Sequence, residues 1–89
     1  MTLDRHAIKS RIRAKFAELS AALGNDDPGG LTDDAIFPAT GLLDSAALLD
    51  LVVWYEAEFD LPLTQEEINV DNLGSIDAMA DYLIARKTT

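Results

Sequence analysis

The chain has 89 residues, no cysteine and a net charge of −9. That length supports one domain, residues 1–89 with a core over about 4–86, sharing a single hydrophobic core. The missing cysteines exclude a disulfide framework, a thiolate metal site and a thiol nucleophile; the acidity excludes the basic footprint that nucleic acid requires, and favours encounter with basic protein surfaces. The apolar residues Ile8, Ile12, Phe16, Leu19 and Leu23 recur at helical spacing and predict a first helix from about Asp4 to Leu23. This helix holds Arg5, Lys9, Arg11, Arg13 and Lys15, whereas no Lys or Arg lies between Phe16 and Ala85, where fifteen of the sixteen carboxylates sit. Gly24 and Asn25 are stop signals, and Asp26 to Gly30 reads as a turn-rich stretch.

The segment from Gly24 to Asp44 is long for a structureless loop. It is expected to be pinned by Leu31, Ile36, Phe37 and Leu42, with a helical turn begun by Thr32. A second main helix is predicted from Ser45 to about Phe59 with Asp44 as its N-cap. At 100° per residue Leu48, Leu51, Val52, Tyr55 and Phe59 form its core stripe. Ala46, Asp50, Val53 and Ala57 lie opposite, and Leu49, Trp54 and Glu56 lie on the flanks. Pro62 breaks the chain. Thr64 and Glu67 fit a capping box that opens a short helical turn. Ser75 caps a last helix with Ile76, Met79, Ala80 and Leu83 inward. No strand pattern occurs. The expected fold is all-α, a small four-helix bundle of three main helices and one short one.

No apolar run is long enough to cross a bilayer, and the basic N-terminus has no apolar signal stretch; a cytoplasmic protein without a membrane partner is expected. Ser45 is a poor candidate nucleophile, because its hydroxyl needs a base and the one histidine, His6, lies on the basic first helix. Asp26, Asp27, Asp33 and Asp34 do not have calcium-loop spacing and read as a solvated acidic loop. No metal site and no enzymatic activity are expected. A helix N-terminus does favour an anionic phosphate linkage, so Ser45 is chemically suited to carry one. Without further context, Asp44-Ser45 is an ordinary helix cap, and the chain an unmodified acidic module that binds a basic partner through its second helix.

The run Gly41-Leu42-Leu43-Asp44-Ser45 is followed by Leu48, Leu49, Leu51 and Val52, and then by Glu56-Ala57-Glu58-Phe59-Asp60-Leu61-Pro62. With Ile36-Phe37 upstream, and Asn72-Leu73-Gly74-Ser75-Ile76 and Ala80-Asp81-Tyr82-Leu83 downstream, the chain resembles the acyl and peptidyl carrier proteins from roughly Leu31 to Ile84. The Gly-Leu-Leu-Asp-Ser form is similar to discrete, stand-alone carriers. The resemblance implies a four-helix bundle bearing 4′-phosphopantetheine on Ser45. A phosphopantetheinyl transferase adds that arm from coenzyme A, and Asp44 orients the modifying enzyme. The arm's thiol holds an acyl or aminoacyl group as a thioester and passes it from an activating ligase to a downstream transferase or synthase. Ala46, Leu49, Asp50, Val53, Glu56 and Ala57 form the expected docking surface of a monomeric carrier, with acidic groups steering basic partners. Two positions depart from the pattern. Ala46 stands where Leu or Met is usual, and Trp54 where a smaller residue is usual. Trp54 and Tyr55 are expected to restrict an internal cavity and favour short or aminoacyl cargo.

Overall fold

Each long helix of this protein starts where a short polar side chain meets an apolar face. The computed structural model describes residues 4–24 and 32–88, with Thr88 as backbone only. Helix α1, Arg5–Ala22, begins at Asp4, whose Oδ1 accepts from the His6 N–H at 3.0 Å. It buries Ile8, Ile12 and Phe16. The expected stripe changes beyond Phe16. Leu23 is the C-cap and stays 46% exposed, while Ser20 takes the buried position in the last turn.

Thr32 opens a turn, its carbonyl accepting from Ala35 N–H at 3.2 Å. The next helical turn, α2, Phe37–Thr40, has Pro38 near its start, where the missing N–H costs nothing. Phe37 enters the core and stacks at 5.0 Å on Phe16. Ile36, expected as an anchor, is the exposed N-cap residue, because adjacent positions at a helix start point in different directions; Leu43 is buried and Leu42 packs partly against the core. Leu31 and the acidic turn at 26–30 lie outside the described residues. Two backbone bonds stitch the segment to the far end of the chain: Phe37 N–H to the Gly74 carbonyl at 2.7 Å, and Asp77 N–H to the Asp33 carbonyl at 2.9 Å.

Helix α3, Ser45–Glu58, buries Ala47, Leu51 and Tyr55, with Leu48, Val52 and Phe59 partly buried beside them. The Tyr55 hydroxyl donates to the Met79 carbonyl at 2.7 Å, and burial pushes its pKa up. The helix stops before Pro62 is reached. Asp60 takes the left-handed conformation (φ 49°) and Leu61 N–H closes on the Glu56 carbonyl at 2.9 Å, a Schellman end.

The Thr64–Glu67 capping box is formed and opens a 3₁₀ turn, Gln65–Glu67. A further short helix, α4, Val70–Leu73, follows at the polar run Asn69, Asp71 and Asn72. Asn69 is its cap, accepting from Asn72 N–H at 2.8 Å, so the polar residue starts a helix instead of ending one. Helix α5, Ile76–Thr88, is capped by Ser75 Oγ, which accepts from Ala78 N–H at 3.0 Å, and buries Ile76, Met79, Ala80 and Leu83. The described residues thus form an all-α fold of five helices without strands. Helix α1 packs on α3 and α5, and α4 packs on α5.

The basic helix is neutralised from within. Lys9 Nζ lies 2.6 Å from Asp33 and 2.9 Å from Asp77, Arg13 also pairs with Asp33, and Arg5 bridges Asp77 (3.0 Å) and Asp81 (2.8 Å). Hydrogen bonds from Lys9 and then Arg13 hold the Asp33 carboxyl below its usual range, and the bond Lys9 donates to Asp33 in turn raises Lys9.

Because the folded-state pKa of Asp33 is depressed, its stabilising contribution is full above the ordinary value of 3.8 and is lost as pH falls below that through the folded value. Asp33→Asn therefore removes part of the acid-induced fall in stability, measured by urea unfolding between about pH 5 and pH 2. Ser20 Oγ is buried with no hydrogen-bond partner. Ser20→Ala removes that unmet polar group and raises unfolding stability by about 1 kcal/mol at an unchanged denaturant slope.

Candidate functional site

The head of α3 is set by the turn that precedes it. Thr40 Oγ1 donates to the Phe37 carbonyl at 2.7 Å and accepts from Leu42 N–H at 3.2 Å. Gly41 then turns with φ +70°, a conformation that disfavours any side chain. Leu43 anchors in the core, and Asp44 arrives extended at the N-cap with its Oδ1 accepting from Ala47 N–H at 2.8 Å. Ser45 is the first residue of the helix and is exposed. Its own N–H and that of Ala46 have no partner within the helix by geometry. They leave a partial positive charge beside the hydroxyl, which favours negative charge there.

Among the described residues no base is hydrogen-bonded to this serine. His6 lies in the exposed first turn of α1, and the Asp44 carboxylate is directed at the helix backbone. Among the described residues no group of three or more His, Asp or Glu is placed to hold a metal ion. Asp33, read as part of a solvated loop, is instead held by Lys9 and Arg13, and Asp34 accepts from Thr32 Oγ1 at 2.6 Å. Asp26 and Asp27 lie outside the described residues.

Helix α3 presents two different surfaces on either side of Ser45. On one side an apolar cleft of about 190 Å³ runs between α2, α3 and α4. Leu48, Leu51 and Val52 form its α3 wall, Phe37 and Pro38 close one edge, and Ile68, Val70 and Leu73 close the other. Among the described residues no charged side chain lines it. Its polar side chain, Asn69, already has its amide donating to the Glu66 carbonyl at 2.9 Å and its oxygen capping α4. Ser45, Leu48 and Val52 fall on one flank of the helix, and Val52 is about 10 Å further along its axis. Ser45 does not itself line the cleft but shares this flank of the helix with its α3 wall.

The other side carries the expected docking residues. Ala46, Leu49, Asp50, Val53 and Ala57 are exposed, Leu49 and Val53 by 58% and 57%. Glu56 is half-buried, and its Oε2 accepts from Leu63 N–H at 3.1 Å, closing the connection after α3. Trp54 faces elsewhere. It packs edge-on to Phe59 at 5.7 Å and lines a shallow hollow with Arg11, Ala14 and Lys15 of α1. Neither Trp54 nor Tyr55 lines the cleft; Tyr55 fills the core, fully buried.

The sequence reading placed Ser45 at the helix start, Asp44 at its cap and the exposed stripe as they stand, but missed the cleft. Its far wall depends on α4, and the available signal was the apolar pair Ile68 and Val70 around the capping Asn69. Compared with protein-family models, curated proteins and solved structures, the chain finds no match. Among the described residues no helix is long and apolar enough to cross a membrane.

Asp44→Ala removes one cap and lowers unfolding stability by about 1 kcal/mol. Amide exchange should quicken most at Ala47 and Leu48, whose N–H groups bond to Asp44, while α1 and α5 keep their protection.

Proposed function

We propose that the protein is an acyl carrier whose Ser45 bears a 4′-phosphopantetheine arm. The observation that carries this reading is an exposed serine at a helix start, without a base, on the same flank as an apolar cleft. A hydroxyl without a base is not a catalyst, but it is an acceptor for an enzyme that brings its own activation. A phosphopantetheinyl transferase would form the Ser45 Oγ–phosphorus bond and break the phosphoanhydride of coenzyme A. The arm supplies the thiol that the chain lacks. In this reading α1, α3 and α5, with the short α4, act as the four-helix bundle of a carrier, and α2 is a turn within the long connection.

The cleft favours an apolar acyl group over an aminoacyl group as cargo. It has no charged residue to answer an ammonium, and burying an unpaired charge there is costly. A ligase that activates a carboxylic acid would load the thiol, and a transferase or synthase would unload it. The chain itself provides attachment, shelter and presentation.

Protein incubated with coenzyme A, Mg²⁺ and a broad-specificity transferase gains the mass of one phosphopantetheine. Ser45→Ala gains none, with an unchanged helical spectrum. A medium-length acyl thioester on the arm reacts with hydroxylamine more slowly than an alanyl thioester. A folded wild-type protein that gains no mass refutes the carrier and leaves the unmodified interaction module in its place.

A further inference from the structure

We infer that Glu67 is a positioning residue for the cleft, its one carboxylate tying the wall of Ile68, Asn69 and Val70 to the last turns of α5. Little else holds that wall. From Thr64 to Asn72 no residue is buried, and Ile68 and Val70 are exposed by 37% and 50%. Core burial resumes at Leu73. A segment without buried apolar side chains has low local stability, so its polar contacts decide where it rests. Only Glu67 and Asn72 in this stretch are half-buried, and they are bonded to each other, Asn72 Nδ2 donating to the Glu67 carbonyl at 3.0 Å.

The Glu67 carboxylate works in two directions. Oε1 accepts from the Thr64 N–H at 3.1 Å and the Thr64 hydroxyl at 3.2 Å, which closes the turn on itself. Oε2 accepts from the Tyr82 hydroxyl and from Arg86 Nη1, both on α5. The backbone carbonyl of Glu67 also accepts from Asn69 N–H at 3.1 Å. The guanidinium has further contacts at that spot: it lies 5.9 Å from the centre of the Tyr82 ring, and Nη2 reaches the Pro62 carbonyl at 3.5 Å. Lys87 Nζ donates to the Asp60 carbonyl at 2.8 Å, so the end of α5 also holds the start of this connection. Bonds to an ionised carboxylate are stronger than neutral ones, and the Glu67 side chain is only 21% exposed. The cleft therefore has one wall on the rigid α3 and one suspended from α5 through Glu67. The suspension stands independently of Ser45; its consequence for cargo rests on the carrier reading.

The test begins with amide exchange of the full, unmodified chain. Tyr82→Phe and Arg86→Gln leave the Thr64–Glu67 cap in place. Combined, they should speed exchange at Ile68, Asn69 and Asn72 about tenfold, while Ile12, Leu51 and Tyr55 stay within about twofold. Arg86→Lys alone, which keeps a cationic donor for Glu67, should leave the wall amides within about threefold of wild type. A hexanoyl thioester on the arm of the double variant should react with hydroxylamine about threefold faster than on wild type, and an alanyl thioester at the same rate. Unchanged exchange at the three wall amides, or equal acceleration at Ile12, Leu51 and Tyr55, overturns the inference. So does faster wall exchange with unchanged hexanoyl reactivity, because Glu67 then positions nothing at the cleft. A wild-type chain that accepts no arm refutes the carrier instead, and the exchange result alone then decides whether Glu67 holds the wall.

Discussion

Two backbone hydrogen bonds hold the site together: Phe37 N–H to the Gly74 carbonyl and Asp77 N–H to the Asp33 carbonyl. They satisfy peptide groups that a connecting segment would otherwise leave to water, and they bring the chain before α3 against the chain before α5. The junction admits no side chain at Gly74. A Cβ there would stand 2.2 Å from the Val70 carbonyl oxygen and 2.5 Å from the Val70 Cγ2. Phe37 and Pro38 can form one edge of the cleft, and Leu73 with Val70 the other, because the two segments meet at this glycine. The ion pairs of Lys9 and Arg13 with Asp33 brace the same junction from α1.

From that junction the position of Ser45 follows in a few steps. Phe37 fixes α2, Gly41 reverses the chain, Leu43 drops into the core and Asp44 caps the next helix. The serine then lies on the boundary between the sheltered flank of Leu48 and Val52 and the open flank of Leu49 and Val53. In the proposed carrier reading, an arm rooted on such a boundary would have access to both sides, to the open face and to the cleft. This is a consequence of helical geometry at 100° per residue, and it requires no movement of the bundle.

The parts of this arrangement readable in the sequence are those governed by local chemistry. Asp4, Asp44, Ser75 and the Thr64–Glu67 box all act where short polar side chains meet helix starts, because capping is decided within four residues. Core positions on α5 were equally plain, since Ile76, Met79, Ala80 and Leu83 follow one period. What the sequence hid depends on where neighbours end. Leu23 has the right periodicity but lies past the last turn of α1, while Ser20, polar and unremarkable, is enclosed. Ile36 and Phe37 are adjacent and similarly apolar, and the direction of α2 decided between them. Asn69 and Asn72 looked like breakers, yet one caps α4 and the other donates from its amide to the Glu67 carbonyl at 3.0 Å. The cleft was hidden for the same reason, because two of its three walls depend on these choices.

Charge shows most clearly how a bulk property and a local one diverge. The sequence separates cations into α1 and the C-terminus and acids into the middle, a pattern that reads as a polar dipole awaiting partners. Folding returns the opposite charges to each other. Arg5, Lys9 and Arg13 meet Asp33, Asp77 and Asp81 along one seam, Arg11 meets Glu58, and Arg86 meets Glu67 under the ring of Tyr82. Several of these pairs are exposed and contribute little energy singly, but each reduces the uncompensated charge on the face where it lies. The acidity that remains is spread around the molecule and can speed encounter at long range. At contact distance along α3 the exposed side chains include the apolar Leu49 and Val53 with the acids Asp50 and Glu58, so the local surface is more mixed than the bulk charge suggests.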